Sequence, residues 1–278
     1  MTKQNLKYLL RDELSKKELS FVPSSFDVVG DILVFSEFPK ELAKKEKLIG
    51  ESILQNYRHI KTVLKKTRKY SGKYRTAKLK VIAGEKRKET VHKENNVILK
   101  LDVEKVYFSA RMSNERKRVA SLVKPKESVL VMFSGCAVYS LVIAKNSACK
   151  EVYGIEINPM AHRYALENTE KNKLEHKVKS YLGDVEKVMP KINKKFDRIL
   201  MPLPKGGERF LGLAIKHAKK NGFIHFYDFL DEKEFHRGAE KVKLACSKAK
   251  RKCFILQTVK CGQYSPRFYR ICVGFKVR

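Results

Sequence analysis

Acidic residues are scarce in this chain. Its 278 residues hold 30 Asp and Glu against 61 Lys and Arg, a formal net charge of +31. That excess is too large for solubility alone and implies a polyanionic partner. Nucleic acid fits better than membrane, because the basic residues are spread through a globular pattern rather than along one amphipathic helix. A Lys-rich surface from a hot or salty habitat is the alternative, although that habitat usually raises Glu as well. No apolar run approaches the roughly 20 residues of a membrane span, and no secretory leader is expected. The six cysteines (Cys136, Cys149, Cys246, Cys253, Cys261, Cys272) include no C-x-x-C pair, and the seven histidines are scattered. Reduced thiols are therefore expected, with no metal site, in a cytoplasmic protein. Internal repeats and low-complexity tracts are missing too.

What is present is 43% hydrophobic and 33% charged, long enough for one large domain with a small appendage. The pattern predicts a small N-terminal domain over residues 1–43 and a larger domain over 44–278. Within the latter, 44–105 reads as a basic RNA-facing extension and 106–278 as the core. Leu6, Leu9, Leu10 and Leu14 predict an amphipathic helix over residues 1–20. Phe26 to Phe35 reads as strand-turn-strand about Gly30-Asp31, and a helix follows near Pro39–Asn56. The segment from Lys61 to Gly84 interleaves Tyr70 and Tyr74 with lysines and arginines, with a turn at Ser71-Gly72. A hairpin is predicted at Asn95-Asn96.

From Ser109 onward strands and helices alternate, starting with a helix over Arg111–Val123. Strands follow at "SVLVMFSG", "EVYGIEIN", "KVKSYL", "FDRILMPLP" and "GFIHFYDF", with helices between, one from about Gly207 to Lys219. "CFILQTV" and "FYRICVGFKV" close the chain without an intervening helix. This order predicts an α/β fold, a doubly wound, mostly parallel sheet with an antiparallel edge pair.

Ligands of such sheets sit at the carboxyl ends of the strands. Gly135 follows the first strand, Glu156 ends the second about twenty residues later, and Asp184 follows Gly183 after the third. An acid at the second position typically holds ribose hydroxyls. The first loop lacks two usual features: Val131 stands where an acid is common, and Gly135-Cys136-Ala137 replaces G-x-G. A pyrophosphate needs the second glycine for close backbone approach, whereas S-adenosylmethionine carries no phosphate and tolerates Ala137.

"VYFSARMSNERKRV" (106–119), "MFSG" (132–135), "GIEINPMAHRYALEN" (154–168), "LGDVEKV" (182–188), "LMPLPKGGERFL" (200–211), "GFIHFYDF" (222–229) and "QYSPRFYR" (263–270) run in a familiar order. So ordered, they resemble the archaeal tRNA guanine-37 N1-methyltransferases, and "GKYRTAKL" and "HKEN" upstream resemble them as well. The resemblance implies a Rossmann-like class I methyltransferase fold behind a small α/β domain. S-adenosyl-L-methionine would be the cofactor, the tRNA anticodon loop at position 37 the partner, and the protein a monomer. Longer members begin with a further tRNA-gripping domain that this chain is expected to lack.

Carried over by residue, the resemblance implies that Glu115 is the general base for the N1 proton and that Arg75 steadies charge on O6. A surface helix glutamate and one more phosphate-binding arginine are the plain alternatives. The cofactor would be bound by Tyr107, Arg111, Phe133, Gly135, Glu156, Ile157, Asp184, Val185, Met201 and Leu203. The substrate would meet Arg116, Pro202, Pro204, Lys205, Tyr264 and Arg267. Pro202 departs from the N-L-P of guanosine-only members. The branch with Pro resembles enzymes that also methylate C7 of 4-demethylwyosine. Two rival readings stand: aminocarboxypropyl transfer to the wyosine precursor, and a catalytically silent RNA-binding protein.

Overall fold

The computed structural model describes residues 6–278. They form two compact units: the residues up to Lys93 together with Leu99–Ala110, and Glu94–Ile98 together with Arg111–Arg278. Residues on both sides of position 43 thus fall in one unit.

The first unit begins with two short helices, α1 (Leu6–Leu9) and α2 (Lys16–Phe21), in place of the single helix expected over 1–20; residues 1–5 lie outside the described residues. Ser15 explains the break. Its Oγ accepts from the Glu18 amide at 3.3 Å while the Glu18 carboxylate accepts from the Ser15 amide at 2.8 Å. This capping box starts a new helix. Leu6, Leu10 and Leu14 are buried all the same.

Strands β1 (Asp27–Val29) and β2 (Ile32–Phe35) pair antiparallel about Gly30, which has φ +58°. A Cβ there would collide with the Thr90 hydroxyl and the Val91 carbonyl, so glycine is required on both counts. Helix α3 (Glu46–Asn56) then crosses over to β3 (Thr62–Ser71), which runs parallel to β2 and antiparallel to β4 (Thr76–Gly84). Ile49 and Ile53 of α3 share a core with Leu33, Phe35 and Val63. β5 (Glu89–Glu94) and β6 (Val97–Asp102) form the predicted hairpin, with Asn95 and Asn96 both left-handed at φ 42° and 64°. Asparagine pairs suit that turn, since both central residues need positive φ.

The second unit holds a seven-stranded sheet flanked by helices. Its elements are α4 (Ser113–Ser121), β7 (Ser128–Met132), α5 (Val138–Asn146), β8 (Glu151–Glu156), α6 (Pro159–Lys171), β9 (Val178–Leu182), α7 (Val185–Val188), β10 (Phe196–Met201), α8 (Leu211–His217), β11 (Ala218–Asp231), α9 (His236–Lys248), β12 (Cys253–Ser265) and β13 (Phe268–Val277). The strand order is β12-β13-β11-β10-β7-β8-β9. β13 alone is antiparallel to its neighbours on both sides, β11 and β12, as the missing helix between the last two strands implies. β7 and β8 are buried along their whole length, which is why they read as continuous apolar runs.

One boundary differs from expectation. The helix predicted to reach Lys219 ends at His217, and β11 begins at Ala218 rather than Gly222. Ala218 pairs with Phe196 on β10, so ladder hydrogen bonds capture residues whose local propensity favours helix. The core on one face of the sheet gathers Leu130, Ile155, Ile199, Phe226, Val273 and Phe275 with Leu211 of α8 and Val242 of α9. Among the described residues no helix is long and apolar enough to cross a membrane.

Candidate active site

The strand order reverses between β7 and β10, which makes the carboxyl ends of β7, β8 and β10 the place where a ligand fits. The loop leaving β7 is unusual. Phe133, Gly135 and Ala137 all have positive φ, at 58°, 57° and 67°. Left-handed non-glycine residues cost roughly 1 kcal/mol or more each and persist where surroundings over-determine them, as at ligand sites. Ala137 therefore adopts the backbone that a second glycine would supply, at the start of α5.

What fixes the loop is Glu156 at the end of β8. One carboxylate oxygen accepts from the Gly135 amide and the other from the Asn158 amide, both at 2.7 Å. The Ser134 amide adds a bond to the Ile155 carbonyl at 2.9 Å. Burial pushes the Glu156 carboxyl above the usual range, with the amides of Asn158, Gly135 and Ile157 pulling it back. A carboxylate offers about four acceptor sites, so capacity remains for a ligand hydroxyl. At the end of β9, Asp184 caps α7 by accepting from the Glu186 amide at 3.0 Å.

Chemistry of the lining decides what fits here. The β7 loop, "FSGCA", carries no basic side chain, and the acid at the ribose position would repel a phosphate. Phe133 and Leu203 are partly buried against the core at the same strand ends, offering apolar walls. A phosphate-free nucleoside such as S-adenosylmethionine suits this set. Val185 and Met201 are buried in the core behind it, and Ile157 is half-buried. Among the described residues no group of His, Cys, Asp and Glu is placed to hold a metal.

Glu115 lies in the first turn of α4 and is only 5% exposed. Arg118, one turn later, grips it in a fork: Nε to Oε2 and Nη2 to Oε1, each 2.7 Å. The Tyr227 hydroxyl donates to Oε1 at 2.6 Å, and Tyr139 lies 3.2 Å beyond, hydroxyl to hydroxyl. Burial first, then the neighbouring Cys272, Tyr139 and Glu115, pushes the Tyr227 phenol well up, so it remains a donor. The hydrogen bond to Glu115 likewise raises the Arg118 guanidinium. Oε1 thus carries two hydrogen bonds and Oε2 one. The spare acceptor capacity is on Oε2.

Arg116, expected on the substrate, is instead 3% exposed and forms a buried fork with Glu94, Nε to Oε1 at 2.5 Å. Glu115 and Arg116 are both on the buried side of α4, about 100° apart around the helix, so Glu115 meets Tyr227 while Arg116 meets Glu94. Pro202 sits just past β10, where the Leu203 amide donates to the Met201 carbonyl at 2.7 Å and closes a tight turn. Pro204 is half-buried there and Lys205 exposed. Arg111, Tyr264 and Arg267 are exposed on the second unit. Arg75 and Tyr107 belong to the first unit. Arg75 is left-handed at φ 51° in the β3–β4 turn, and the Tyr107 ring packs edge-on to Tyr70 at 4.9 Å.

Sequence reading passed over Tyr227, Tyr139 and Arg118. Two signals pointed to Arg118 and Tyr227, the i, i+3 spacing of Glu115 and Arg118 and the alternation in "GFIHFYDF", and none to Tyr139. Ile224, Phe226 and Leu230 of β11 enter the core. The alternate residues face the other way, where His225 meets Arg198 at 2.7 Å and Tyr227 meets Glu115.

Residues 90–256 match the TRM5/TYW2 methyltransferase domain, and residues 6–87 match the TYW2 N-terminal domain. The chain belongs to the TRM5/TYW2 methyltransferase family. This is a family of S-adenosylmethionine-dependent, class I methyltransferase folds. A tRNA (guanine(37)-N(1))-methyltransferase of Pyrococcus abyssi is 39% identical over 258 residues, covering 92% of this chain and 76% of that protein. A tRNA (guanine(37)-N(1))/4-demethylwyosine(37)-methyltransferase of Nanoarchaeum equitans is 33% identical, over 78% of this chain and 88% of its own length. Among solved structures, a complex of aTrm5 with tRNALeu superposes with TM-score 0.86 at 30% identity, covering all of this chain and 79% of the other. A Methanocaldococcus jannaschii TYW2 solved with AdoMet gives 0.70 at 27% identity, over 91% of this chain and 99% of the other.

Proposed function

We propose that this chain transfers the methyl group of S-adenosylmethionine to N1 of guanosine 37 in the tRNA anticodon loop, acting as a cytoplasmic monomer. The observation that carries this reading is Glu115: a buried carboxylate, aimed by Arg118 and Tyr227, with acceptor capacity left on one oxygen. Guanine N1 bears a proton, so methylation there needs a base. The cofactor supplies a methyl group already activated by its sulfonium. Glu156 would orient the ribose hydroxyls, and the apolar surfaces of Phe133 and Leu203, with Pro202 and Pro204, would wall the bases. N1 bonds to the methyl carbon as the carbon–sulfur bond breaks, and the N1 proton passes to Glu115. Arg75 would meet the charge gathering on O6. The remaining barrier falls through orientation.

Pro202 supports a second activity at the same site. Asparagine offers a donor and an acceptor to the edge of one purine, and proline offers neither. A site without that polar clamp admits the tricyclic 4-demethylwyosine, and the Nanoarchaeum relative carries both activities in its name. The test offers tRNA with guanosine 37 and tRNA with 4-demethylwyosine to the parent and to Glu115→Gln, with products identified by nucleoside mass spectrometry. Glu115→Gln should slow single-turnover N1 methylation by about 10²–10⁴-fold while both ligands still bind. C7 methylation, which removes no N1 proton, should slow far less. A rate for the variant within a few-fold of the parent would move the base elsewhere, and an aminocarboxypropyl product would favour the rival transferase.

A further inference from the structure

The column of side chains on β11 continues past Tyr227 to an exposed end. Phe229 is two residues further along the same strand face, about 7 Å from Tyr227 at the rise of an antiparallel strand. The Tyr264 ring lies over it, with centroids 4.3 Å apart and planes inclined by 35°. Tyr264 is 68% exposed, the most exposed of the large apolar side chains among the described residues. It occupies a β-bulge in β12, where the register with β13 shifts between Gln263 and Ser265. Bulges re-aim a side chain, and this one turns an aromatic ring back over Phe229 instead of out along the edge. Arg270, paired with Phe229 across the β11–β13 ladder, places its guanidinium 5.1 Å from the Phe229 ring. Arg267, at the hairpin tip with φ 65°, is held 3.6 Å from Asp231.

An exposed tyrosine ring inclined over a half-buried phenylalanine, with arginines beside the pair, has no structural task in a core. It does have the make-up of a surface that stacks an unpaired base while cations meet the adjoining phosphates. Its position adds to this. The platform and Tyr227, whose hydroxyl donates to Glu115, share one face of β11 two residues apart.

We infer that Phe229 and Tyr264, flanked by Arg270 and Arg267, form a stacking platform for an unpaired nucleobase of the RNA next to the target guanosine. The platform holds the neighbouring base while the target base is turned toward Glu115. It rests on the tRNA reading above and adds a subsite to it.

The test uses the full chain and an anticodon stem-loop carrying 2-aminopurine on either side of guanosine 37. Binding of the parent should quench the fluorescence at one of the two positions, through stacking. Tyr264→Ala should abolish that quenching and weaken stem-loop binding by about 5- to 150-fold, while Tyr264→Phe keeps both. Affinity for S-adenosylmethionine should be unchanged in each variant, a readout that misfolding would move. Phe229→Leu, which keeps an apolar side chain under Tyr264 but removes the ring, should reproduce the loss in weaker form. Unchanged quenching and affinity in Tyr264→Ala, with the parent still methylating guanosine 37, would overturn the platform and leave the main reading standing. A parent that neither binds nor methylates the RNA would overturn the main reading instead.

Discussion

Strand β8 begins and ends with a glutamate, and the two are equally buried, Glu151 at 8% and Glu156 at 9% exposure. Their surroundings are opposite. Glu151 has cations: Lys194 pairs with one oxygen, Lys179 lies 3.3 Å from the other, and the hydroxyls of Ser128 and Tyr153 donate at 3.1 Å each. Burial pushes its carboxyl up, but these partners outweigh it and bring it down to about 2. Among the described residues Glu156 meets backbone amides alone, and burial wins. Burial alone therefore says little about the role of an acid. A carboxylate neutralised by lysines is a fastener, whereas one left to neutral donors at the carboxyl end of a central strand still has charge to offer a ligand.

The largest effect that would break this contrast is at the amino end. Glu151→Gln should destabilise the fold by about 3 kcal/mol at neutral pH and leave cofactor affinity untouched. Because the folded value lies below the ordinary 4.5, that contribution is present above pH 4.5 and is lost as pH falls toward about 2. Urea unfolding of parent and variant between pH 7 and pH 2.5 should show the two curves converging on acidification. Equal stabilities at pH 7 would mean that the lysines contribute nothing.

Next in size, Glu156→Ala should weaken S-adenosylmethionine binding by about 10- to 100-fold, the loss of hydrogen bonds to a charged acceptor. The pH response has the reverse sign. With the folded value raised, ionised Glu156 opposes folding slightly at neutral pH, and its protonation on acidification relieves that while removing the ligand's acceptor. Calorimetric affinity for the cofactor should thus begin to fall above pH 4.5, before the Glu151 pairs loosen. Affinity constant down to pH 4 would transfer the ribose role to another group.

The smallest effect concerns the loop that Glu156 holds. Ala137→Gly should change stability by less than about 1 kcal/mol, because relief of the left-handed alanine offsets the lost buried methyl and the added flexibility. Equilibrium unfolding would measure it. A larger loss would show that the methyl group, not the amide bonds to Glu156, sets the loop.

Most of the fold was legible because its signals are local and repeated. Buried runs such as "SVLVM", the Asn158-Pro159 helix start and the Asn95-Asn96 turn each specify one backbone. Tertiary pairing decided the rest: Ala218 joined β11 only because Phe196 lay opposite, and Ser15 divided a run of leucines that looked continuous. In the site, Gly135, Glu156 and Asp184 could be placed from strand ends alone. That Arg116 turns inward to Glu94 and that Glu115 is shared by Arg118 and Tyr227 depends on partners 22 and 112 residues away. No window of sequence contains those distances.

The left-handed loop at the end of β7 has one more consequence. Phe133 and Ala137 would relax to ordinary backbone in an isolated segment, since one turn bond within it, from the Ala137 amide to the Ser134 carbonyl at 3.0 Å, does not offset the strain at both. Compulsion comes from β8, through the Ile155 carbonyl and the Glu156 carboxylate. The cradle is therefore assembled by the neighbouring strand and has no existence before β7 and β8 are in register. A half-folded chain leaving the ribosome, strands unpaired, would meet the cell's S-adenosylmethionine with no place to put it.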